Sequence, residues 1–119
     1  VEETVENVTK FKEENLQAVY QGMYLVTNGS HGTLRTAFND LPVKVAAKTG
    51  TAEEDKNRSS HTWFVCFAPF DDPQIAITVM IPFGEGSGTA PAVAKAIIRE
   101  YLGLDYTPTN TTMQTVLAE

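Results

Sequence analysis

Val43-Lys44-Val45-Ala46-Ala47-Lys48-Thr49-Gly50-Thr51, residues 43–51, is the stretch around which the chain is organised. Its first five residues read as a strand that can be buried on both faces, with Lys44 its only charge. The strand ends in a fixed cation, Lys48, followed by a hydroxyl, a glycine and a second hydroxyl. An ammonium attracts a carboxylate, and two hydroxyls can hydrogen-bond one. Gly50 has no side chain, so another backbone can approach and pair as an added strand would. The same four residues also describe an ordinary strand running into a polar turn, and their surroundings decide between the two.

Downstream, Ala52 to His61 is a charged loop with no apolar anchor, expected to be a mobile connection at the mouth of whatever site Lys48 serves. Thr62-Trp63-Phe64-Val65-Cys66-Phe67-Ala68 is rich in aromatic and β-branched residues and reads as a strand. Asp71-Asp72 tips a turn between Pro69 and Pro73, and Ile75 to Ile81 reads as a third strand. Short links favour an antiparallel meander. Gly84-Glu85-Gly86-Ser87-Gly88 is a flexible loop that lacks the Lys-Ser/Thr ending of a phosphate cradle. Thr89 then reads as a helix cap with Pro91 in the first turn. Ala90, Val93, Ala94, Ile97, Ile98, Tyr101 and Leu102 form an apolar stripe, and Gly103 supplies the stop.

Upstream, Leu16, Val19, Tyr20, Met23 and Val26 form another helical stripe, read as core packing, which Asn28-Gly29 ends. Gly32-Thr33 is placed to cap a short helix from Leu34 to Phe38. His31 falls in a Gly-rich connection and reads as a surface residue. Residues 1–12 form a polar lead-in, 13–104 the folded body and 105–119 a Thr-rich tail. The fold class is therefore α+β: an antiparallel three-stranded meander with flanking helices.

With 119 residues, 42% hydrophobic and 20% charged, the chain suits one globular domain. Nine Lys and Arg against fifteen Asp and Glu give a net charge of −6. That argues against nucleic acid or an anionic membrane as partner. Cys66, the one cysteine, lies in an apolar run and reads as a buried, inert thiol. No Cys/His cluster at metal spacing occurs, so no metal and no cofactor are expected. No apolar run is long enough for a membrane span.

In this order, the pieces resemble the C-terminal part of the transpeptidase domain of penicillin-binding proteins, most like the class B enzymes. The likeness rests on Gly22-Met23-Tyr24-Leu25-Val26-Thr27, Gly32-Thr33, Ala47-Lys48-Thr49-Gly50-Thr51-Ala52-Glu53 and His61-Thr62-Trp63-Phe64-Val65-Cys66-Phe67-Ala68-Pro69. With the strand and helix that follow, it runs from about Asn15 to Leu104. Family members are acyl-serine enzymes that cross-link peptidoglycan stem peptides and are acylated by β-lactams, using Ser-x-x-Lys, Ser-x-Asn and Lys-Thr-Gly motifs. Only the third is present. None of Ser30, Ser59, Ser60 and Ser87 has Lys three residues on or begins Ser-x-Asn. The chain therefore reads as a fragment of the five-stranded transpeptidase/β-lactamase-like fold, inactive alone, whose partners include the remaining N-terminal part of the domain.

The resemblance implies catalytic roles for Lys48 and Thr51 and substrate-binding roles for Lys48, Thr49, Gly50 and Thr51. Lys48 would hold the site's proton network and attract the substrate carboxylate, which Thr49 and Thr51 would hydrogen-bond. The Thr51 N–H would form half of an oxyanion hole, and Gly50 would leave room for the substrate backbone. Trp63 would be structural, holding its strand against the core. The two absent strands of the family sheet would lie beside Ile75 to Ile81, leaving an edge open to self-association. The parent is expected to be anchored in the bacterial cytoplasmic membrane with this domain outside it. A serine β-lactamase or β-lactam sensor fragment, and a non-catalytic peptide-binding or assembly module, remain alternatives.

Overall fold

Alternation on the strand His61–Ala68 organises the molecule. In the computed structural model, which describes residues 9–54, 56–84 and 88–104, Thr62, Phe64, Cys66 and Ala68 are buried while Trp63 and Val65 between them are exposed. The elements run α1 (Glu13–Asn28), β1 (Ala46–Ala52), β2 (His61–Ala68), β3 (Ile75–Ile81) and α2 (Thr89–Tyr101). The sheet is antiparallel in the order β1-β2-β3, with Phe64 opposite Thr49 on one side and Val79 on the other. The lead-in up to residue 8, residues 85–87 of the Gly-rich loop and the tail 105–119 lie outside the described residues.

One face of the sheet carries the core. Ala47, Phe64, Cys66, Ala68 and Ile77 meet Ala90, Ala94 and Ile98 of α2, with Phe38, Leu41 and Val45 filling the side. Phe38 stacks on Phe64 with ring centroids 6.1 Å apart. Burying an aromatic of this size stabilises by about 1.5–3 kcal/mol. Cys66 is 3% exposed, and burial pushes its thiol up to about 12, so it is the inert thiol expected. α1 packs on the opposite face, where Tyr20 meets Phe67 edge-on at 5.4 Å and Tyr24 meets Phe70 at 4.6 Å.

Several local expectations need correction. The strand begins at Ala46 and runs through Ala52, not over Val43–Ala47, so Lys48-Thr49-Gly50-Thr51 lies within it. The reason is that the preceding carbonyls are engaged elsewhere. Lys44 O accepts from Phe70 N–H at 2.8 Å, and Val45 O accepts from the Thr27 hydroxyl and from Asn28 Nδ2 at 2.9 Å. Leu34–Phe38 is not a helix but part of a succession of tight turns, with Arg35 N–H donating to Gly32 O and Ala37 N–H to Leu34 O. Leu34 N–H is committed to Val26 O at 2.9 Å, and Phe38 is anchored in the core; these fastenings pull the segment out of helical register. Gly32 fits because a Cβ there would collide with the carbonyls of Leu25 and Val26. Gly88, not Thr89, holds the N-cap position of α2, with no side-chain cap bond.

The helical stripes are only partly interior. On α1, Val19 is 58% exposed, and the buried residue of the helix is Thr27. On α2, Ala94 and Ile98 are buried while Val93, Ile97 and Tyr101 face outward. Periodicity marks the apolar side of a helix without saying how much of that side finds a partner. Gly103 is the stop expected: at φ 61 it lets Leu104 N–H reach back to Arg99 O at 2.9 Å.

Candidate active-site strand

β1 forms one edge of the sheet, so its outer side has no hydrogen-bonded strand among the described residues. Register divides the motif between two faces. Thr49 and Thr51 lie opposite Phe64 and Thr62, on the α2 side; Lys48 and Gly50 lie opposite Val65 and Trp63, on the α1 side. Thr49, Gly50 and Thr51 line a groove of about 350 Å³ closed by Thr33 and Leu34 of the turns and by Gly88, Ala90 and Pro91 at the start of α2. Lys48 does not line it. Its ammonium donates to the Thr49 carbonyl, and no acidic side chain pairs with it among the described residues.

Gly50 faces Trp63 across the register, and a Cβ at Gly50 would stand 3.4 Å from the Trp63 Cβ. The bare glycine thus leaves space beneath the indole as well as at the edge. Trp63 does not pack into the core, as expected of it; it is 41% exposed on the far face. With Val65 and Met80, its neighbours on that face, it forms an uncovered apolar area beside Lys48. α1 covers the other end of this face only. A second hollow, about 560 Å³, lies there between Tyr20, Phe67, Phe70 and Asp71, and no residue of the motif reaches it.

Three fastenings hold the segments around β1, and none stands out in the sequence. Thr27 and Asn28 grip Val45 just before β1. Asp40 receives Lys95 Nζ and Arg99 Nη2, each at 2.9 Å, tying the turns to α2. Lys95, then Arg99, hold the Asp40 carboxyl below the usual carboxylate range against an opposing desolvation. The i, i+4 spacing of Lys95 and Arg99 hinted at a shared anion on one helix face, but not at its source. The third fastening is His61, whose Nδ1 accepts from Phe83 N–H at 3.2 Å while Nε2 faces Glu54 at 3.4 Å. The described residues hold no cluster able to ligate a metal ion.

A three-stranded antiparallel sheet, a helix on each face and Lys-Thr-Gly-Thr along one edge define a piece of a transpeptidase-like domain. Residues 1–102 match the penicillin binding protein transpeptidase domain family. The chain is 36% identical to the peptidoglycan D,D-transpeptidase MrdA of Haemophilus influenzae over 101 residues, 72% of this chain and 16% of that protein. It is 34% identical to penicillin-binding protein 2B of Streptococcus pneumoniae over 102 residues, 80% of this chain and 15% of that one. The crystal structure of Pseudomonas aeruginosa PBP2 superposes with a TM-score of 0.71 at 36% identity, covering 85% of this chain and 22% of that one. The chain belongs to the penicillin-binding protein transpeptidase family, and it spans about a sixth of the length of the two relatives.

Proposed function

We propose that this chain is the substrate-binding part of a serine D,D-transpeptidase that cross-links peptidoglycan stem peptides and is acylated by β-lactams. The observation that carries the reading is β1 itself: an edge strand with Thr49 and Thr51 in a groove and a Lys48 with no acidic partner among the described residues beside an uncovered apolar face. A peptide or β-lactam lies along the outer edge of β1 over Gly50. Thr49 and Thr51 donate hydroxyl hydrogen bonds to its carboxylate, and Lys48 supplies the positive field that draws the anion to a chain of net charge −6.

The nucleophile comes from outside these residues, since no serine here stands in Ser-x-x-Lys. The part that brings it covers Trp63, Val65 and Met80 and sets the serine beside Lys48, which stabilises the proton network of the acylation step. The Thr51 N–H donates one hydrogen bond to the oxyanion of the tetrahedral intermediate, and the serine's own N–H donates the other. No helix among the described residues is long and apolar enough to cross a membrane; we place the anchor in the rest of a parent that works outside the cytoplasmic membrane. The β3 edge is normally covered by that same remainder, and in this chain alone it is a surface for self-association.

Intact-mass spectrometry after incubation with a penicillin tests the reading, on this chain alone and on the chain joined to the sequence that precedes it. Acylation of the joined form only is expected. Acylation of the chain alone would overturn the division of labour, and acylation of neither would leave a non-catalytic peptide-binding module as the better account.

A further inference from the structure

Beyond Thr51 the strands run out into two connections, the loop between β1 and β2 and the turn Ile81–Gly84 after β3. One side chain touches both. His61 opens β2 directly opposite Ala52, one residue beyond Thr51. Its imidazole is 18% exposed, and it stands against the Phe83 ring with centroids 4.7 Å apart. Because Nδ1 accepts the Phe83 N–H, the proton of the neutral ring must sit on Nε2, where Glu54 Oε2 faces it at 3.4 Å.

The turn that His61 holds is under strain. Gly84 N–H closes it onto Ile81 O at 3.3 Å, with Pro82 at the second position and Phe83 at the third. Phe83 has φ 55, in the left-handed region, where a bulky side chain is a genuine outlier. Such outliers persist where surrounding contacts over-determine them. Here those contacts are the imidazole acceptor, its ring face and Arg58, whose guanidinium carbon lies 6.0 Å from the Phe83 ring centroid. Gly84 packs close to Thr62, where a Cβ would meet Oγ1 at 2.9 Å, so the turn bears on the residue opposite Thr51.

We propose that His61 is a positioning residue, a proton-sensitive latch joining the β1–β2 loop and the β3–α2 turn so that the Thr51 end of the groove keeps its shape. Protonation places an N–H on Nδ1 facing the Phe83 N–H, and the latch opens on the turn side. Of the loop's charges, Glu54 meets His61 and Arg58 stands over Phe83; Ile81–Gly84 and the opposed Ala52 carry none. Glu54 attracts the imidazolium but is 58% exposed and offers nothing to Phe83, so it keeps the ring in place without restoring the lost bond. The role rests on the transpeptidase reading of β1, while the latch itself can be tested without it.

The test on this chain is nuclear magnetic resonance of the isotope-labelled protein. At pH 8 the His61 Nδ1 should be unprotonated and the Phe83 amide protected from hydrogen exchange. Protection should be lower at pH 5 than at pH 8, after correction for the intrinsic exchange rate. His61→Asn, which keeps an acceptor near the Nδ1 position, should protect the amide at every pH, and His61→Phe at none. A protonated Nδ1 at pH 8, or equal protection in His61→Phe, would overturn the latch. If His61→Phe does not fold, the wild type against His61→Asn at pH 5 decides.

The same variants in the joined form read the positioning role. Penicillin acylation by the wild type should slow about two- to tenfold from pH 8 to 5, the worth of one hydrogen bond, beyond any change in His61→Asn. His61→Phe should be slow throughout, and His31→Asn, at the chain's other histidine, should keep the wild-type profile. A wild-type profile in His61→Phe would sink the positioning role. A joined wild type that takes no penicillin would sink the transpeptidase reading instead, leaving the latch to be judged by amide exchange.

Discussion

Val45, the last residue before β1, is 1% exposed, and its carbonyl is held by two side chains of α1: the Thr27 hydroxyl and Asn28 Nδ2. Two donors share one acceptor, so each covers for the loss of the other. Thr27→Val keeps the shape of a side chain that is itself 4% exposed and removes two neutral hydrogen bonds, the one donated to Val45 O and the one accepted from Asn28 Nδ2 at 2.9 Å. Val45 O still has Asn28 at 2.9 Å, so the cost is about 2 kcal/mol. Asn28→Ala leaves the Thr27 hydroxyl in place and costs about the same.

The double variant differs in kind. It strands a buried carbonyl, which adds about 1–3 kcal/mol of uncompensated desolvation to the roughly 3 kcal/mol of the three bonds among Thr27, Asn28 and Val45. Urea unfolding followed by circular dichroism, run on all four proteins at one pH, closes the cycle. Because the Thr27–Asn28 bond is lost in both single variants, a coupling of about 0–2 kcal/mol at unchanged m-value is expected. A coupling of about −1 kcal/mol, that one bond counted twice and nothing added, would refute the shared-acceptor argument, and with it the idea that α1 fixes where β1 begins.

Asp40→Asn should cost no more than about 0.5 kcal/mol at pH 7, because Asp40 is half exposed and its ion pairs are screened. Its carboxyl is held low in the fold, so the stabilisation is complete above the unfolded carboxyl range near 3.9 and is lost as pH falls through the lower folded value. Urea midpoints at pH 7 and pH 2.5 should therefore fall less in Asp40→Asn than in the wild type, and an equal fall would count against the clamp. In the joined form, Lys48→Ala should slow penicillin acylation about 10- to 150-fold, the worth of a hydrogen bond to a charged group, as read by intact mass against time. Unchanged acylation would remove Lys48 from the site. Light scattering of this chain should show concentration-dependent growth, reduced by Met80→Lys on exposed β3; a monodisperse monomer at high concentration would refute pairing through that edge.

What the sequence made legible was what local pattern dictates. β3 was read at its observed bounds, β2 within a residue, and α2 and its Gly103 stop from periodicity and a glycine that takes positive φ. The misreadings share a cause: backbone groups whose partners are remote in sequence. Val43–Val45 has the composition of a strand, yet Val45 O bonds to residues 17 and 18 positions earlier and Lys44 O to Phe70. Leu34–Phe38 has helical composition, but its first amide is claimed by Val26. Apolar stripes on α1 and α2 were legible as stripes; how much of each is covered depends on elements that periodicity does not describe. That Lys48–Thr51 stand together at a strand was legible, while Asp40 and His61 act through distant partners and left no local signature.

Strand geometry adds one constraint on how the site is completed. Period-two alternation forbids a strand from presenting Lys48, Thr49 and Thr51 to one face, and β1 obeys it, with hydroxyls toward the α2 side and the ammonium toward the other. All three reach a single ligand only if that ligand lies along the edge, in the plane of the sheet, where both rows of side chains flank it. Gly50, in the Lys48 row, has no side chain to crowd that approach. An edge is normally a liability that proteins blunt with charge or cover. Here the charge, Lys48, is itself part of the motif, and the cover on the outer side is the wall of turns held by Asp40 and Phe38. Loosening that wall, which also closes the groove holding Thr49 and Thr51, should therefore weaken ligand binding along β1 without touching any residue of the motif.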